Sequence, residues 1–169
     1  MRTLIGIDPG QSGGIAYLIT HDDGMVEHGA FKMPATPTDI IEHLEIMKNS
    51  SNNVLYLEKQ HSMPMYKKEL KDDSETKLQG GKSNWTFAEG YGILIGIAMT
   101  LRYKIIYVMP TVWQRHFNLL TNKIIKESKT VHKNRIKAFA QQRYPNIKVT
   151  LATADALAIL EYAKDKEKS

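Results

Sequence analysis

The chain has 169 residues, of which 42% are hydrophobic and 24% are charged, a composition typical of one folded globular domain. The absence of cysteine excludes disulfide frameworks, cysteine nucleophiles and thiolate metal sites. Because no stretch reaches the roughly 18 apolar residues of a membrane span and no signal peptide is recognisable at the N-terminus, we expect a cytoplasmic protein without membrane contact. A net charge of +5 favours nucleic acid as a partner.

The first third of the chain predicts three strands, a helix and a fourth strand. Apolar runs at residues 3–7, 15–19 and 25–33 are separated by the Gly-rich turn 8–14 and the turn 21–24, which indicates an antiparallel meander. Apolar residues at helical spacing then predict a helix over 38–48, with Thr36 or Thr38 as its N-cap. A buried strand over 54–57 follows this helix, so the crossover is parallel and the sheet is mixed.

The remainder of the chain predicts a long loop followed by helices and one more strand. Residues 59–82 are rich in charged residues and glycine and lack periodicity, so we expect a mobile loop that orders on a ligand. A helix from a Ser83 or Asn84 cap to about Leu101, a strand over 104–109 and helices near 111–118, 129–143 and 153–164 follow, with 165–169 as a tail. The prediction is a single α/β domain over 1–169, with a mixed five-stranded sheet flanked by helices.

Three carboxylates occupy the ends of predicted elements. Asp8 and Glu58 each end a buried strand, and Asp155 lies in the first turn of the last predicted helix, among apolar residues. If the three converge, their charges require a shared cation, and oxygen-only ligation selects Mg²⁺ or Mn²⁺. Each residue alone also has a structural interpretation: Asp8 as a turn residue, Glu58 as the polar end of a strand, and Asp155 as a charge at a helix N-terminus.

Four motifs contain these carboxylates or lie between them. They are Ile5-Gly6-Ile7-Asp8-Pro9-Gly10, Leu55-Tyr56-Leu57-Glu58, Pro110-x-x-Trp113 and Ala154-Asp155-Ala156-Leu157-Ala158. In order and spacing, over roughly residues 3–163, they resemble the RuvC-like Holliday junction resolvases, and most of all the phage-encoded branch of that family. The first motif alone is also similar to the opening of actin-like sugar kinases, which leaves nucleotide binding as another interpretation of that motif.

The resemblance implies a ribonuclease H-like fold and a homodimer in which each subunit cuts one strand of a four-way DNA junction. It implies that Asp8, Glu58 and Asp155 are catalytic ligands of Mg²⁺, for which Mn²⁺ can substitute. The expected function is therefore a Mg²⁺-dependent endodeoxyribonuclease acting on Holliday junctions and other branched DNA. For a phage-encoded protein, the place of action is the cytoplasm of a bacterial host.

Two positions depart from the family pattern. The family's last helix usually carries a second acidic residue three positions before the matched aspartate, where this chain has Ala152. This gap leaves open the alternative of a junction-binding protein with weak or no nuclease activity. The bacterial enzymes also place an aromatic wedge at the position where His61 stands; His61 is interpreted either as a base-stacking residue or as a solvated loop histidine.

The positive charge is concentrated in one segment. Between Arg115 and Lys148 there are nine basic residues and one acidic residue, a local net of +8, while the rest of the chain has a net charge of −3. Lys129, Lys133 and Lys137 share a helix face that a phosphate backbone would neutralise, although a merely solvated face is the alternative. The other expected DNA-binding residues are His61, Lys67 and Lys68 in a DNA-facing loop and Lys123 and Lys126. We expect Trp113 to be a core anchor.

Overall fold

The computed structural model describes residues 1–49, 52–60, 81–121 and 127–168, without the side chains of residues 81–84. Its strands are β1 (Arg2–Asp8), β2 (Gly14–Thr20), β3 (Val26–Lys32), β4 (Asn53–Glu58) and β5 (Lys104–Val108). Its helices are α1 (Pro37–Met47), α2 (Gly81–Thr100), α3 (Pro110–His116), α4 (Lys129–Arg143) and α5 (Ala154–Glu167). The predicted order of elements is confirmed.

The strands form one mixed sheet in the order β3-β2-β1-β4-β5. The first three strands are the predicted antiparallel meander, because short turns can join only antiparallel neighbours. β1, β4 and β5 are parallel, and the crossovers between them contain α1 and α2. This arrangement brings the carboxyl ends of β1 and β4 to the same edge of the sheet.

The two faces of the sheet bury two separate cores, as the two-residue period of a strand requires. In β1, Leu4 packs in the core formed with α4 and α5, whereas Ile5 and Ile7 pack in the core formed with α1 and α2. All three side chains are at most 3% exposed. β1 is therefore covered on both faces, and its last residue is held between the two helical layers.

Gly6 permits a close approach of α5 to β1. A Cβ atom at this position would lie 2.5 Å from the backbone nitrogen of Leu160 and 2.6 Å from the backbone oxygen of Ala156. Only a residue without a side chain fits against helix backbone at this distance. The contact fixes the position of α5, and with it Asp155, relative to β1.

The helix boundaries correct two expectations. α2 begins at Gly81, so the predicted loop 59–82 is shorter at its C-terminal end, and its residues 61–80 lie outside the described part of the chain. α5 continues to Glu167 instead of leaving a tail from residue 165. The last turn is held because Glu167 pairs with Arg2 and accepts a hydrogen bond from the Tyr56 hydroxyl at 3.0 Å.

Helix N-terminal caps follow the local sequence where polar side chains are available. The Thr36 hydroxyl accepts a hydrogen bond from the Asp39 amide at 3.2 Å, as predicted for the start of α1. Ser128 caps α4 in the same way through the Val131 amide. Over the described ranges, none of the helices is both long and apolar enough to cross a lipid bilayer.

Candidate functional site

Asp8, Glu58 and Asp155, referred to below as the carboxylate cluster, come together at one edge of the sheet. Ile7 pairs with Leu57 in the parallel register of β1 and β4, so Asp8 and Glu58 end adjacent strands on the same side. Asp155 stands in the first turn of α5, which packs along β1. Glu58 is buried, and the other two carboxylates are half-buried. The tertiary fold thus joins residues from both ends of the chain.

The Glu58 carboxylate is held by two hydrogen-bond donors. The indole Nε1 of Trp113 donates to Oε2 at 2.9 Å, and the side-chain amide of Gln60 donates to Oε1 at 3.1 Å. Trp113 is fully buried in the core, as predicted, because α3 begins at Pro110 directly after β5. The sequence does not predict its role as a donor to Glu58, because no local sequence pattern connects residues 55 positions apart.

Burial and mutual repulsion raise the pKa values of Asp8 and Glu58. Burial, followed by the charges of Glu58 and Asp155, raises the pKa of Asp8 to about 8, and the charge of Lys133 partly opposes this shift. Burial raises the pKa of Glu58 to about 7, and the charge of Asp155 adds to the shift, against the hydrogen bonds from Trp113 and Gln60. Without a cation, the cluster therefore retains protons near neutral pH.

Asp155 interacts with two basic residues of α4. Burial raises its pKa, and the positive charges of Lys133 and His132 oppose that shift. Lys133 thus reaches Asp8 and Asp155 electrostatically, which distinguishes it from the other lysines on the same helix face. The spacing of Lys133 along the helix predicts contact with phosphates. Its electrostatic influence on the carboxylates is not visible in the sequence, because it depends on the packing of α4 against α5.

His132 is a residue of the site that the sequence did not indicate. Its Nδ1 lies 2.5 Å from the hydroxyl oxygen of Thr121, whereas its Nε2 is buried and has no hydrogen-bond partner in the described structure. A buried polar atom without a partner is uncommon and destabilising. The hydrogen-bonding capacity of Nε2 is therefore unused among the described residues.

The donor set of the carboxylate cluster fits a hard divalent cation. Among the described residues, none of the three carboxylates forms an ion pair with a lysine or arginine. The same part of the chain contains no three His, Asp or Glu side chains already grouped closely enough to enclose a metal ion. Binding of an ion by all three carboxylates would therefore require them to move closer together.

Ala152 adds no ligand to this cluster. It lies in the turn before α5, where its backbone oxygen would be 2.6 Å from a Cβ atom at Gly14. The backbone at position 152 is therefore packed against the start of β2, on the strand next to Asp8. An acidic side chain at this position would have to be accommodated beside the cluster.

The predicted basic face is present on α4. Lys129 and Lys133 are exposed, and Lys137 is half-buried. Arg135 instead forms a structural link, because its guanidinium binds both carboxylate oxygens of Glu127, at 3.0 and 2.8 Å, and the backbone oxygen of Leu120 at 2.9 Å. Five predicted DNA-binding residues lie outside the residues that the structure describes: His61, Lys67, Lys68, Lys123 and Lys126.

Comparison with solved structures finds the same fold in RuvC. RuvC of T. thermophilus in complex with a Holliday junction substrate aligns with a TM-score of 0.56 and 12% identity, covering 94% of this chain and 90% of that chain. A second Thermus thermophilus RuvC structure aligns with a TM-score of 0.54 and 14% identity over the same shares. No protein-family model and no curated protein sequence matches. The chain has the α/β ribonuclease H-like fold of RuvC.

Proposed function

We propose that the protein is a divalent-metal-dependent, structure-selective DNA endonuclease that resolves Holliday junctions and cuts other branched DNA. The observation that carries the proposal is the convergence of Asp8, Glu58 and Asp155 at one sheet edge of a RuvC-like fold. Turn formation or helix capping would explain each residue singly. Neither explains why three carboxylates are brought close enough to raise one another's pKa, with no direct ion pair to a lysine or arginine among the described residues.

The residues of the cluster and its neighbours have different roles in the proposed phosphodiester hydrolysis. Asp8, Glu58 and Asp155 would hold Mg²⁺ or Mn²⁺, which supplies electrostatic stabilisation of the charge that develops on the reacting phosphate. Trp113 and Gln60 orient Glu58. Lys133 keeps Asp8 and Asp155 closer to their ionised state, as metal binding requires.

The face of α4 supports DNA as the substrate. Lys129, Lys133 and Lys137 repeat every four residues, so they follow one side of the helix, and Lys133 among them acts electrostatically on the carboxylate cluster. Phosphate contacts from such a face supply affinity that does not depend on base sequence and that weakens steeply with salt. Together with the compact domain, this basic helix before α5 supports assignment to the phage-encoded branch, acting in the cytoplasm of a bacterial host.

One face of α2 supports a homodimer. Trp85 and Met99 are 73% and 65% exposed, and they share this face with Gly92 and Gly96. Outside the helix's own backbone, no described residue lies within 4 Å of a Cβ atom built at either glycine, so a second helix can approach closely there. Gly96→Lys should convert the dimer to a monomer in analytical ultracentrifugation, whereas an unchanged sedimentation coefficient would exclude this face.

The direct test is cleavage of labelled four-way, three-way, flap and linear duplex DNA in Mg²⁺ or Mn²⁺. We expect cuts near the branch point and a loss of more than about 100-fold in Asp8→Asn, since an amide is a poor substitute for a charged metal ligand. Glu42→Gln is the matched control, because Glu42 is an exposed residue of α1. Undiminished cleavage by Asp8→Asn would remove Asp8 from the mechanism.

The second candidate is a junction-binding protein with weak or no nuclease activity, and Ala152 favours it. A gel shift with four-way junctions in chelator, no cleavage with either metal, and cleavage gained in Ala152→Asp would support this alternative. Robust cleavage by the natural sequence would exclude it.

A further inference from the structure

A cavity of about 840 Å³ lies beside the carboxylate cluster. Its walls come from the turn after Asp8, the segment between β3 and α1, and one side of α2. The volume lies within the roughly 300 to 1,000 Å³ of small-molecule sites. The residues that carry the proposed metal chemistry do not line it, so it is a separate compartment next to the reaction site.

Two stacked aromatic rings form one wall of the cavity. Phe87 and Tyr91 stand on successive turns of α2, with ring centroids 6.1 Å apart and planes inclined by 16°. Both side chains are half-buried, so part of each ring faces the open volume. Parallel aromatic rings at the surface of a cavity form a platform on which a flat ring system can stack.

This aromatic wall contacts both strand ends of the carboxylate cluster. Gly10, two residues after Asp8, has φ of +110°, and a Cβ atom there would lie 3.1 Å from the Phe87 ring. The Tyr91 hydroxyl donates a hydrogen bond to the backbone oxygen of Glu58 at 3.3 Å. A group stacked on these rings is therefore held next to the phosphate on which the cluster would act.

The charge of the lining selects against a phosphate and for a neutral ligand. Of the described residues around the cavity, Glu89 is the one charged side chain, and no lysine or arginine is among them. Neutral hydrogen-bonding groups accompany the rings: the side chains of Gln11, Ser12, Thr36 and Thr86. An aromatic platform with neutral polar neighbours is complementary to a nucleobase, which has a flat face and a polar edge.

We propose that this cavity receives an unpaired nucleobase of the DNA substrate, stacked against Phe87 and Tyr91. The inference rests on the proposed nuclease function and adds to it a preference, within branched DNA, for an unpaired nucleotide at the branch point. Such a base enters at the lowest cost because no base pair has to be broken. Linear duplex DNA contacts the basic face of α4 but leaves the cavity empty.

The test uses three-way junctions that carry the fluorescent base 2-aminopurine at the branch point, either unpaired or paired. Fluorescence and binding affinity are measured in EDTA, so that no metal is bound and no strand is cut. Stacking in the cavity should quench the unpaired fluorophore on binding of the natural protein. Phe87→Ala should abolish the quench and weaken binding of the unpaired junction by about 5- to 100-fold. The affinity of the Phe87→Ala variant for linear duplex DNA should change by less than about twofold, because its phosphate contacts remain.

Two further variants keep the result interpretable. Phe87→Tyr retains the ring and should retain the quench. Ala35→Trp, at an exposed position of the lining, fills the cavity while both rings stay in place, and it should also abolish the quench. Thermal unfolding and sedimentation of each variant verify that it is folded and has the association state of the natural protein.

Three results would overturn the inference. The first is the absence of a quench with the natural protein, and the second is an equal loss of duplex and junction affinity in Phe87→Ala. The third is dissociation of a dimer by Phe87→Ala, because the cavity would then be occupied by a second copy of the chain. Failure of the nuclease proposal is a different result. If the natural protein does not cleave while the quench persists, the cavity is the base site of a DNA-binding protein.

Discussion

The indole Nε1 of Trp113 donates a hydrogen bond to the Glu58 carboxylate at 2.9 Å, and this contact links the α3 core to the carboxylate cluster. The tryptophan is fully buried and Glu58 is 8% exposed, so water does not replace the donor if it is lost. Because the bond lowers the pKa of Glu58 against the effect of burial, it favours the ionised form that a cation binds.

Trp113→Phe should therefore shift the acid limb of the pH–rate profile to higher pH. A hydrogen bond to a charged group contributes about 1.5 to 3 kcal/mol, so cleavage at pH 7 should fall by about 10- to 100-fold and recover in part above pH 8. Tyr103→Phe is the matched control, because it removes a buried hydrogen bond of 2.7 Å to the Leu44 backbone oxygen, away from the cluster. An unshifted profile in Trp113→Phe would contradict this role.

The metal-free protein should lose stability as pH rises from about 4 to about 8. The ordinary pKa values of Asp8 and Glu58 are 3.8 and 4.5, and the folded values are about 8 and about 7. Between these limits the folded state binds more protons than the unfolded state, so the free energy of unfolding decreases with pH. Urea denaturation in EDTA should show Asp8→Asn more stable than the natural protein at pH 8, by about 1 to 3 kcal/mol. Parallel pH dependences of the two proteins would refute the assignment.

Divalent metal should restore this stability, and more so at high pH. Carboxylates must lose their protons to bind Mg²⁺ or Mn²⁺, so the rise in the thermal midpoint should be larger at pH 8 than at pH 5.5. At ten times the dissociation constant the stabilisation is about 1.4 kcal/mol, or roughly 3 to 6 °C. The rise should be absent in Asp8→Asn and Asp155→Asn; an equal rise in these variants would locate the ion elsewhere.

Substitutions of Lys133 and Lys137 should distinguish an effect on DNA binding from an effect on the rate of cleavage. Each contacts phosphate in the proposed complex, so Lys133→Gln and Lys137→Gln should each reduce the slope of log affinity against log salt by about 1. Lys133→Gln should also lower kcat by about 10-fold at pH 7, because Asp8 and Asp155 lose the charge that lowers their pKa. Equal kcat values in the two variants at saturating DNA would contradict a role for Lys133 at the cluster.

Gly6→Ala should destabilise the fold by separating α5 from β1. The new methyl group meets helix backbone rather than a movable side chain, and overpacking of this kind costs about 1 to 3 kcal/mol. Gly90→Ala is the matched control, because no described residue outside the helix's own backbone lies within 4 Å of its Cβ position; it should stabilise α2 by up to about 1 kcal/mol. Similar unfolding free energies for the two variants would disprove the close β1–α5 packing.

The sequence by itself determined the secondary structure and the order of the strands along the chain. Runs such as residues 3–7 and 54–57, separated by glycine-rich turns and a helix, determine strand direction through local geometry, so the mixed sheet was predictable. The placement of Asp8 and Glu58 at strand ends was also visible, since it depends only on where each apolar run stops. The close approach of Asp155 to them was only implied by resemblance.

The tertiary structure decided which side chains act on one another. The bond from Trp113 to Glu58 and the charge of Lys133 at Asp8 both join elements distant in the chain, and the burial of His132 Nε2 depends on the same packing. The cavity at Phe87 and Tyr91 likewise exists only once α2 packs beside the Asp8 turn. Periodicity reports which face of an element is buried, whereas hydrogen bonds, pKa values and cavities depend on the distances that packing sets between elements.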